Sequence, residues 1–255
     1  MEISLSAIVP FFNEEKFLKS SVERLITTGI FNEILLIDNN STDNSLKIAN
    51  QIQLLHQNIT IHKTDKVPGK GNAVRHGLNF VKTTHMIVHD ADLEYFPSDI
   101  IEMKNLASKY PDALILGSRV IGNKKRNNLY KKTYIFNRVF SVLFSILNFT
   151  KVSDISSCYQ LNNTKNIKNL DLKENGFGIE VEILSKHLKN SGQIKEIAIL
   201  YDARSYEDGK KIKVSDGVKI FWKIITYSKL NLFSKFSKKS KTNKNLQSNI
   251  FKLYL

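Results

Sequence analysis

Asp90, Asp92 and Glu94 put three carboxylates within five residues at the end of a short apolar run, His85–His89. Apolar β-formers that stop abruptly in acids read as a buried strand delivering its side chains to a carboxyl-terminal edge. Hard oxygen ligands in that place suit Mg2+ or Mn2+, and such an ion keeps open positions that phosphate oxygens fill. The chemistry implied is neutralisation of a departing diphosphate. The same acids would also serve as a solvated turn capping a helix at Pro97, Ser98 and Asp99. The rest of the chain has to separate the two.

The elements that would position these acids come in a regular order. Leu5–Phe12 is a β-branched and aromatic run ending at Asn13-Glu14-Glu15, after which Phe17, Leu18, Val22, Leu25 and Ile26 have helical spacing. Glu33–Asp38 predicts a second buried strand, and Asn39-Asn40-Ser41-Thr42-Asp43 opens a helix through about Leu55. Ile59–His62 predicts a third strand. Gly69-Lys70-Gly71 leads into a helix carrying Ala73, Val74, Leu78, Phe80 and Val81, and His85–His89 is the fourth strand. Strands alternating with helices imply an α/β fold with a mostly parallel sheet covered on both faces. Ligands of such sheets bind at the carboxyl ends of the strands, where Asn13 and Glu14, Asp38–Asp43 and Asp90–Glu94 fall. The GKG lacks the spacing of a phosphate-binding P-loop and no G-x-G-x-x-G follows a strand, so it reads as a tight turn.

Composition sets outer bounds. At 255 residues one large domain with an appendage is expected, divided as a catalytic domain over 1–212, an amphipathic helix over 213–233 and a basic, disordered tail over 234–255. A single cysteine, Cys158, excludes an intrachain disulfide and fits a reducing compartment. The N-terminus has no basic region ahead of its apolar residues, so it reads as a first strand and not a signal peptide. Residues 1–120 hold 12 Lys/Arg against 14 Asp/Glu, a net of −2, while residues 121–255 hold 26 against 10, a net of +16. Positive charge concentrated in the second part points to a polyanionic partner, either nucleic acid or an anionic membrane surface.

Five motifs in order carry a resemblance. Val9–Glu15 (VPFFNEE), Ile37–Asp43 (IDNNSTD), Gly69–Val74 (GKGNAV), Asp90–Tyr95 (DADLEY) and Gly117–Arg119 (GSR) resemble the motifs of inverting family 2 glycosyltransferases with the GT-A nucleotide-sugar fold. Asp154–Tyr159 (DISSCY), Phe177–Glu182 (FGIEVE) and Arg204–Ile212 (RSYEDGKKI) are similar to the branch holding dolichyl-phosphate mannose synthases and bacterial polyprenyl-phosphate sugar transferases. The resemblance covers roughly residues 5–230. It implies that Asp90, Ala91, Asp92 and Glu94 hold the donor diphosphate and metal. It also implies that Pro10, Phe12, Glu14 and Asp38 line the nucleoside, and that Arg119, Arg204 and Lys210 handle phosphate. Asn39 stands where a second acid is usual and Glu94 where Gln is, which leaves the base and the sugar open.

Within that frame Asp92 and Glu94 are the expected metal ligands, and Asp90 positions ribose or a metal-bound water. A lipid-phosphate acceptor is already an anion at neutral pH, so it calls for cations, here Arg204, Lys210 and Arg138, and no strong base. A sugar-hydroxyl acceptor would instead need a carboxylate such as Asp154. His76 and His89 are read as packing residues without a role.

Tyr130–Phe149 is too short and too interrupted by Asn137, Arg138, Ser141, Ser145 and Asn148 to span a bilayer. Ile135, Val139, Phe140, Leu143, Phe144 and Leu147 form its apolar face, which serves either as core or as an interfacial surface for a prenyl chain. Val218, Phe221, Trp222 and Ile225, beside Lys219 and Lys223, predict a second amphipathic segment of the membrane-surface kind. The expectation is a sugar transferase acting on polyprenyl phosphate, peripheral on the cytoplasmic face of the membrane and with no nucleic-acid partner. Its rivals are a transferase building a cell-surface polysaccharide and a basic adaptor that binds RNA or membrane.

Overall fold

The computed structural model describes residues 2–65, 67–124, 126–127, 131–204 and 214–230. In chain order the elements are β1 (Leu5–Phe11), α1 (Leu18–Thr27), β2 (Glu33–Asp38), α2 (Ser45–Leu55), β3 (Ile59–Lys63), α3 (Lys70–Leu78) and β4 (His85–Val88). Then come α4 (Ser98–Lys109), β5 (Leu114–Ser118), β6 (Arg126–Asn127), α5 (Lys131–Asn148), β7 (Gln160–Asn163), α6 (Thr164–Lys168), α7 (Ile179–Lys189), β8 (Ile194–Ala198), β9 (Tyr201–Asp202) and α8 (Val214–Tyr227). The four expected strands lie within a residue of their predicted limits.

Seven strands form the main sheet in the order β3-β2-β1-β4-β7-β5-β8. β1 pairs in parallel with β2 and β4, β2 with β3, and β5 with β8, whereas β7 runs antiparallel to both its neighbours. The expected α/β, mostly parallel sheet is therefore what forms. Continuous apolar runs such as SAIV and ILLI suit it, because helices cover both faces. Strand order reverses between β1 and β4, so the crevice opens at their carboxyl ends, beside Phe11, Asp38 and Asp90. A second, two-stranded sheet pairs β6 with β9, and Tyr95 bridges Tyr201, which carries the end of β9 back over the crevice.

α5 buries its polar stripe together with part of its expected apolar face. Asn137, Ser141, Phe144, Leu147 and Asn148 face inward, while Ile135, Phe136, Val139, Val142, Ile146 and Phe149 are 55–73% exposed. Each inward polar residue makes at least one bond. Asn137 donates to Asp154, Ser141 accepts from the Ile155 backbone N–H, Ser145 bonds both backbone groups of Val152, and Asn148 accepts from Lys229 N. Of the expected apolar face, Phe144 and Leu147 are buried and Phe140 and Leu143 pack against the core, so only Ile135 and Val139 point outward, where Phe136, Val142, Ile146 and Phe149 join them. α8 packs on α5 and α7, with Ile224 buried and Val218 and Trp222 outward.

The GKG segment owes its glycines to close backbone approach. Gly69 has φ +127°, and a Cβ there or at Gly71 would collide with the backbone carbonyls of Asn175 and Glu174. The neighbouring loop is held against it by the Asn72 N–H to Asn175 carbonyl bond of 3.1 Å. Gly71→Ala should therefore lower stability by about 1–3 kcal/mol, read as a drop in Tm of several degrees. Gly217→Ala in α8 meets no neighbour and should stabilise by up to about 1 kcal/mol. Equal responses to the two changes in a thermal melt would count against this packing.

Candidate active site

A cavity of about 350 Å3 opens at the carboxyl edge of the sheet. β1 and its following turn supply Pro10, Phe12 and Glu14; the turn after β4 supplies Asp90, Ala91, Asp92 and Glu94; Arg119 and Arg204 close one side. The sequence also left members out: Lys70, Glu180, Phe177, Tyr201 and, from α8, Ile220. Among the described residues five carboxylates line the cavity, Glu14, Asp90, Asp92, Glu94 and Glu180, against three cations, Lys70, Arg119 and Arg204.

The cations are placed by short bonds. Lys70 Nζ lies 2.7 Å from Asp90 Oδ1, 2.9 Å from Asp90 Oδ2 and 2.7 Å from Glu180 Oε1. Burial disfavours its ammonium, but Asp90 and Glu180 outweigh that and hold it protonated well above the usual lysine range. Burial likewise pushes the Asp90 carboxyl up, and its double bond to Lys70 brings it back below the ordinary value. Glu180, with one bond to the same ammonium, stays raised because burial prevails. Asp92 is the outlier: burial, then the neighbouring Asp90 and Glu94 carboxylates, lift it to about 7, with Arg204 opposing.

Glu94 accepts from the Tyr201 hydroxyl at 2.6 Å and from the Arg204 backbone N–H at 2.9 Å, so it ties β9 to the acidic turn. Arg204 then donates to Glu14 and to Asp92, both at 3.3 Å. Arg119 lies with its guanidinium 4.8 Å from the Tyr201 ring centre, a cation–π contact. Asp154 holds it by accepting from its backbone N–H at 3.0 Å, Nε at 2.8 Å and Nη2 at 2.8 Å. Burial works against the Asp154 charge, but Arg119 and Asn137 bring its carboxyl down to about 2. Asp154 is fully buried and saturated. It is an anchor for Arg119 and neither a base nor a plain turn residue.

Two residues named from sequence are not brought to the cavity wall. Asp38 is buried, accepts from Ser41 N at 2.9 Å, and leaves its second oxygen without a hydrogen-bond partner; Asn39 faces the cavity in its place. Arg138 sits on α5 and reaches the Ser153 carbonyl at 3.4 Å. Lys210 lies outside the described residues, as does the segment from 231 onward. His89 is buried between Ser21 and Tyr159, and desolvation lowers it to about 4.

A divalent ion fits this donor set. The acids outnumber the bases, and the elevated Asp92 carboxyl marks where positive charge is missing. Among the described residues no three His, Cys, Asp or Glu side chains converge on one point. Protein groups alone would thus fill only part of an ion's coordination, with oxygen ligands from water or phosphate completing it. Asp92 is the better-placed ligand, since its oxygens are held at 3.1 Å by Glu94 N and 3.3 Å by Arg204, longer than the 2.6 and 2.9 Å bonds that Glu94 accepts.

Lys70 and Glu180 are only weakly marked in the sequence. In GKG the glycines carry the stronger local pattern, and the signal for Lys70 is its place at the amino end of a helix that precedes the strand leading to Asp90. Glu180 and Glu182 both sit in the first turn of α7, and only the fold shows that Glu182 turns away to hold Lys173 N and Glu174 N.

A family model described as "Glycosyl transferase family 2" matches residues 6–171. An uncharacterized glycosyltransferase, YaiP, of Escherichia coli K12 is 30% identical over 95 residues, 37% of this chain and 24% of that protein. Dolichol-phosphate mannosyltransferase of Pyrococcus furiosus is 24% identical over 212 residues, 82% of this chain and 59% of that protein. This chain therefore spans less than two thirds of the length of either. Glucosyl-3-phosphoglycerate synthase from Mycobacterium tuberculosis, solved with Mn2+, UDP-glucose and phosphoglyceric acid, superposes with a TM-score of 0.68 at 15% identity. The match covers 88% of this chain and 79% of that one. That likeness is one of fold, the GT-A arrangement.

The Asp154 anchor generates a prediction. A carboxyl depressed to about 2 contributes stability above the unfolded value near pH 4 and loses it as pH falls through 2. Asp154→Asn, which leaves Arg119 buried without its counter-charge, should cost roughly 3–5 kcal/mol at pH 7. Denaturant melts should show the gap between the two proteins narrowing from pH 4 towards pH 2. A gap that does not change over that range counts against the ion pair.

Proposed function

The chain belongs to glycosyl transferase family 2, and from that premise we propose that it moves a sugar from a nucleotide-sugar donor to polyprenyl phosphate, inverting the anomeric centre, at the cytoplasmic surface of a membrane. The observation that carries the acceptor side is the outward apolar stripe of α5, joined by Val218 and Trp222 of α8. Ile220 of the same α8 lines the cavity, so one face of the cavity wall is continuous with the surface that would meet lipid. Exposed apolar residues grouped on adjoining helices mark an interaction surface. Among the described residues no helix is long and apolar enough to cross a membrane.

On this reading Pro10, Phe12 and Asn39 border the nucleoside, with Asp38 buried behind them, where it caps Ser41 N. Asp90 is held for the donor by Lys70, and Asp92, with Glu94 beside it, would hold Mg2+ or Mn2+. When bound, that ion supplies positive charge for the departing diphosphate. Arg204 and Arg119 offer guanidinium groups to phosphate oxygens, joined by Lys210. A lipid phosphate is an anion before it reacts, which suits a cavity whose buried Asp154 accepts no proton.

A second reading has its own support. Glu180 faces the cavity with a raised carboxyl, as a base for a hydroxyl acceptor would, and the structural relative was solved with phosphoglyceric acid. The two are separated by incubating the full chain with Mn2+ or Mg2+, a panel of labelled nucleotide sugars, and polyprenyl phosphate in anionic vesicles. Label should enter the organic phase as a lipid-phosphate sugar. Arg204→Ala should reduce that transfer about 100-fold or more, and chelation should abolish it. Label that stays in water, on a phosphorylated hydroxyl acceptor supplied alongside, would favour Glu180 as base.

The membrane surface is tested separately. Val139→Asp with Ile146→Asp changes two exposed positions, so stability should stay within about 0.5 kcal/mol. Flotation with anionic vesicles should nevertheless fall about tenfold or more, because each charge would have to enter the interface. Unchanged flotation would remove this face from the account.

A further inference from the structure

Asp154 joins the cavity to α5. On one side it holds Arg119 in the cavity by three bonds, and on the other its Oδ1 accepts from Asn137 Nδ2 of α5 at 2.8 Å. The segment around it belongs to the same joint. Ser145 and Ser141 of α5 bond the backbone of Val152 and Ile155, and Arg138 reaches the Ser153 carbonyl. Ser153 in turn meets Ser118 Oγ at 2.6 Å, one residue before Arg119. From Arg119 the contacts continue through Tyr201 to Glu94, Arg204 and Asp92. The helix with the outward apolar stripe is thus connected to both cavity arginines.

Asn137 is the member whose presence needs an account. It is buried, and its carbonyl oxygen has no hydrogen-bond partner. A buried amide with one unmet oxygen is costly where leucine would pack without loss. The one bond it makes goes to a carboxylate that already accepts three from Arg119, so satisfying Asp154 does not require it either. What that bond adds is a link from α5 that brings no second charge to the ion pair. We propose that Asn137 is a positioning residue, through which seating of α5 on a membrane sets the Arg119 guanidinium for the acceptor phosphate. This rests on the lipid-phosphate reading above, and it assigns the membrane face an effect on turnover beyond attachment.

The test uses the full chain and a prenyl phosphate too short to partition into bilayers, with and without anionic phospholipid vesicles that carry no acceptor. Wild type should transfer faster with vesicles, by about tenfold if the coupling is of ordinary size. Asn137→Leu should keep the vesicle-free rate, the donor KM and flotation, and lose most of the stimulation through a higher acceptor KM. If Asn137→Leu does not fold, Asn137→Ser, too short to reach Asp154, reads the same ratio. Full stimulation in the variant, or an equal loss with and without vesicles, overturns the proposal, the latter because a merely structural residue behaves so. Wild type that transfers to lipid phosphate yet ignores vesicles also overturns it while leaving the acceptor reading intact; wild type that never uses a prenyl phosphate ends both.

Discussion

Among the described residues carboxylates outnumber cations at the edge of the parallel sheet, and the packing around the cavity follows from holding them there. Five acids face one cavity, and each would be neutralised by burial unless cations or donors were brought to it. The fold answers from outside the acidic turn. α3 contributes Lys70, and the glycines around that lysine let a distant loop close over it. The end of β9 contributes Arg204 and the Tyr201 hydroxyl. Asp92 alone remains strongly raised, and it is there that the donor set asks for a further positive charge.

The second part of the chain faces a different problem, since α5 must pack yet also presents an apolar face outward. It packs through Asn137, Ser141, Ser145 and Asn148, each bonded to a backbone group or to Asp154. Hydrogen bonds are directional, so a polar packing stripe fixes the rotation and height of a helix more tightly than apolar contacts of equal area. The apolar stripe is then free for an external partner. Burial of Phe144 and Leu147 keeps the helix attached without consuming the outer face.

The donor half of this arrangement was legible in the sequence because periodicity and turn chemistry agree there. Apolar runs of four to eight residues ending in polar clusters gave β1 to β4 and located the crevice. The orientation of α5 was not legible. A helix with one polar and one apolar stripe has its apolar side assigned inward, and Phe140, Leu143, Phe144 and Leu147 do pack there; only the partners of Asn137 and Ser145, supplied by residues 152–155, turn the polar stripe inward as well and leave Ile135 and Val139 outside. The anchoring role of Asp154 is hidden for the same reason. Its role depends on Arg119, 35 residues away, and on a strand pairing that local patterns do not encode. Asp38 fell short of the cavity wall because it turns back to cap Ser41 N, which exposes Asn39 instead.

The distances also separate the cations into two kinds. Lys70 holds Asp90 and Glu180 at 2.7 Å, whereas Arg204 reaches Glu14 and Asp92 only at 3.3 Å. Charge-assisted bonds are strong at the first separation and weak at the second. A desolvated lysine shared by two acids is expensive to disturb, because any movement leaves a buried charge unpaired. Lys70 is therefore a fixed part of the floor. Arg204 lies over the Phe17 ring at 5.1 Å as well, and its backbone N–H is tied to Glu94. Of these two cations, Arg204 is the one whose carboxylate contacts phosphate oxygens would replace at lower cost.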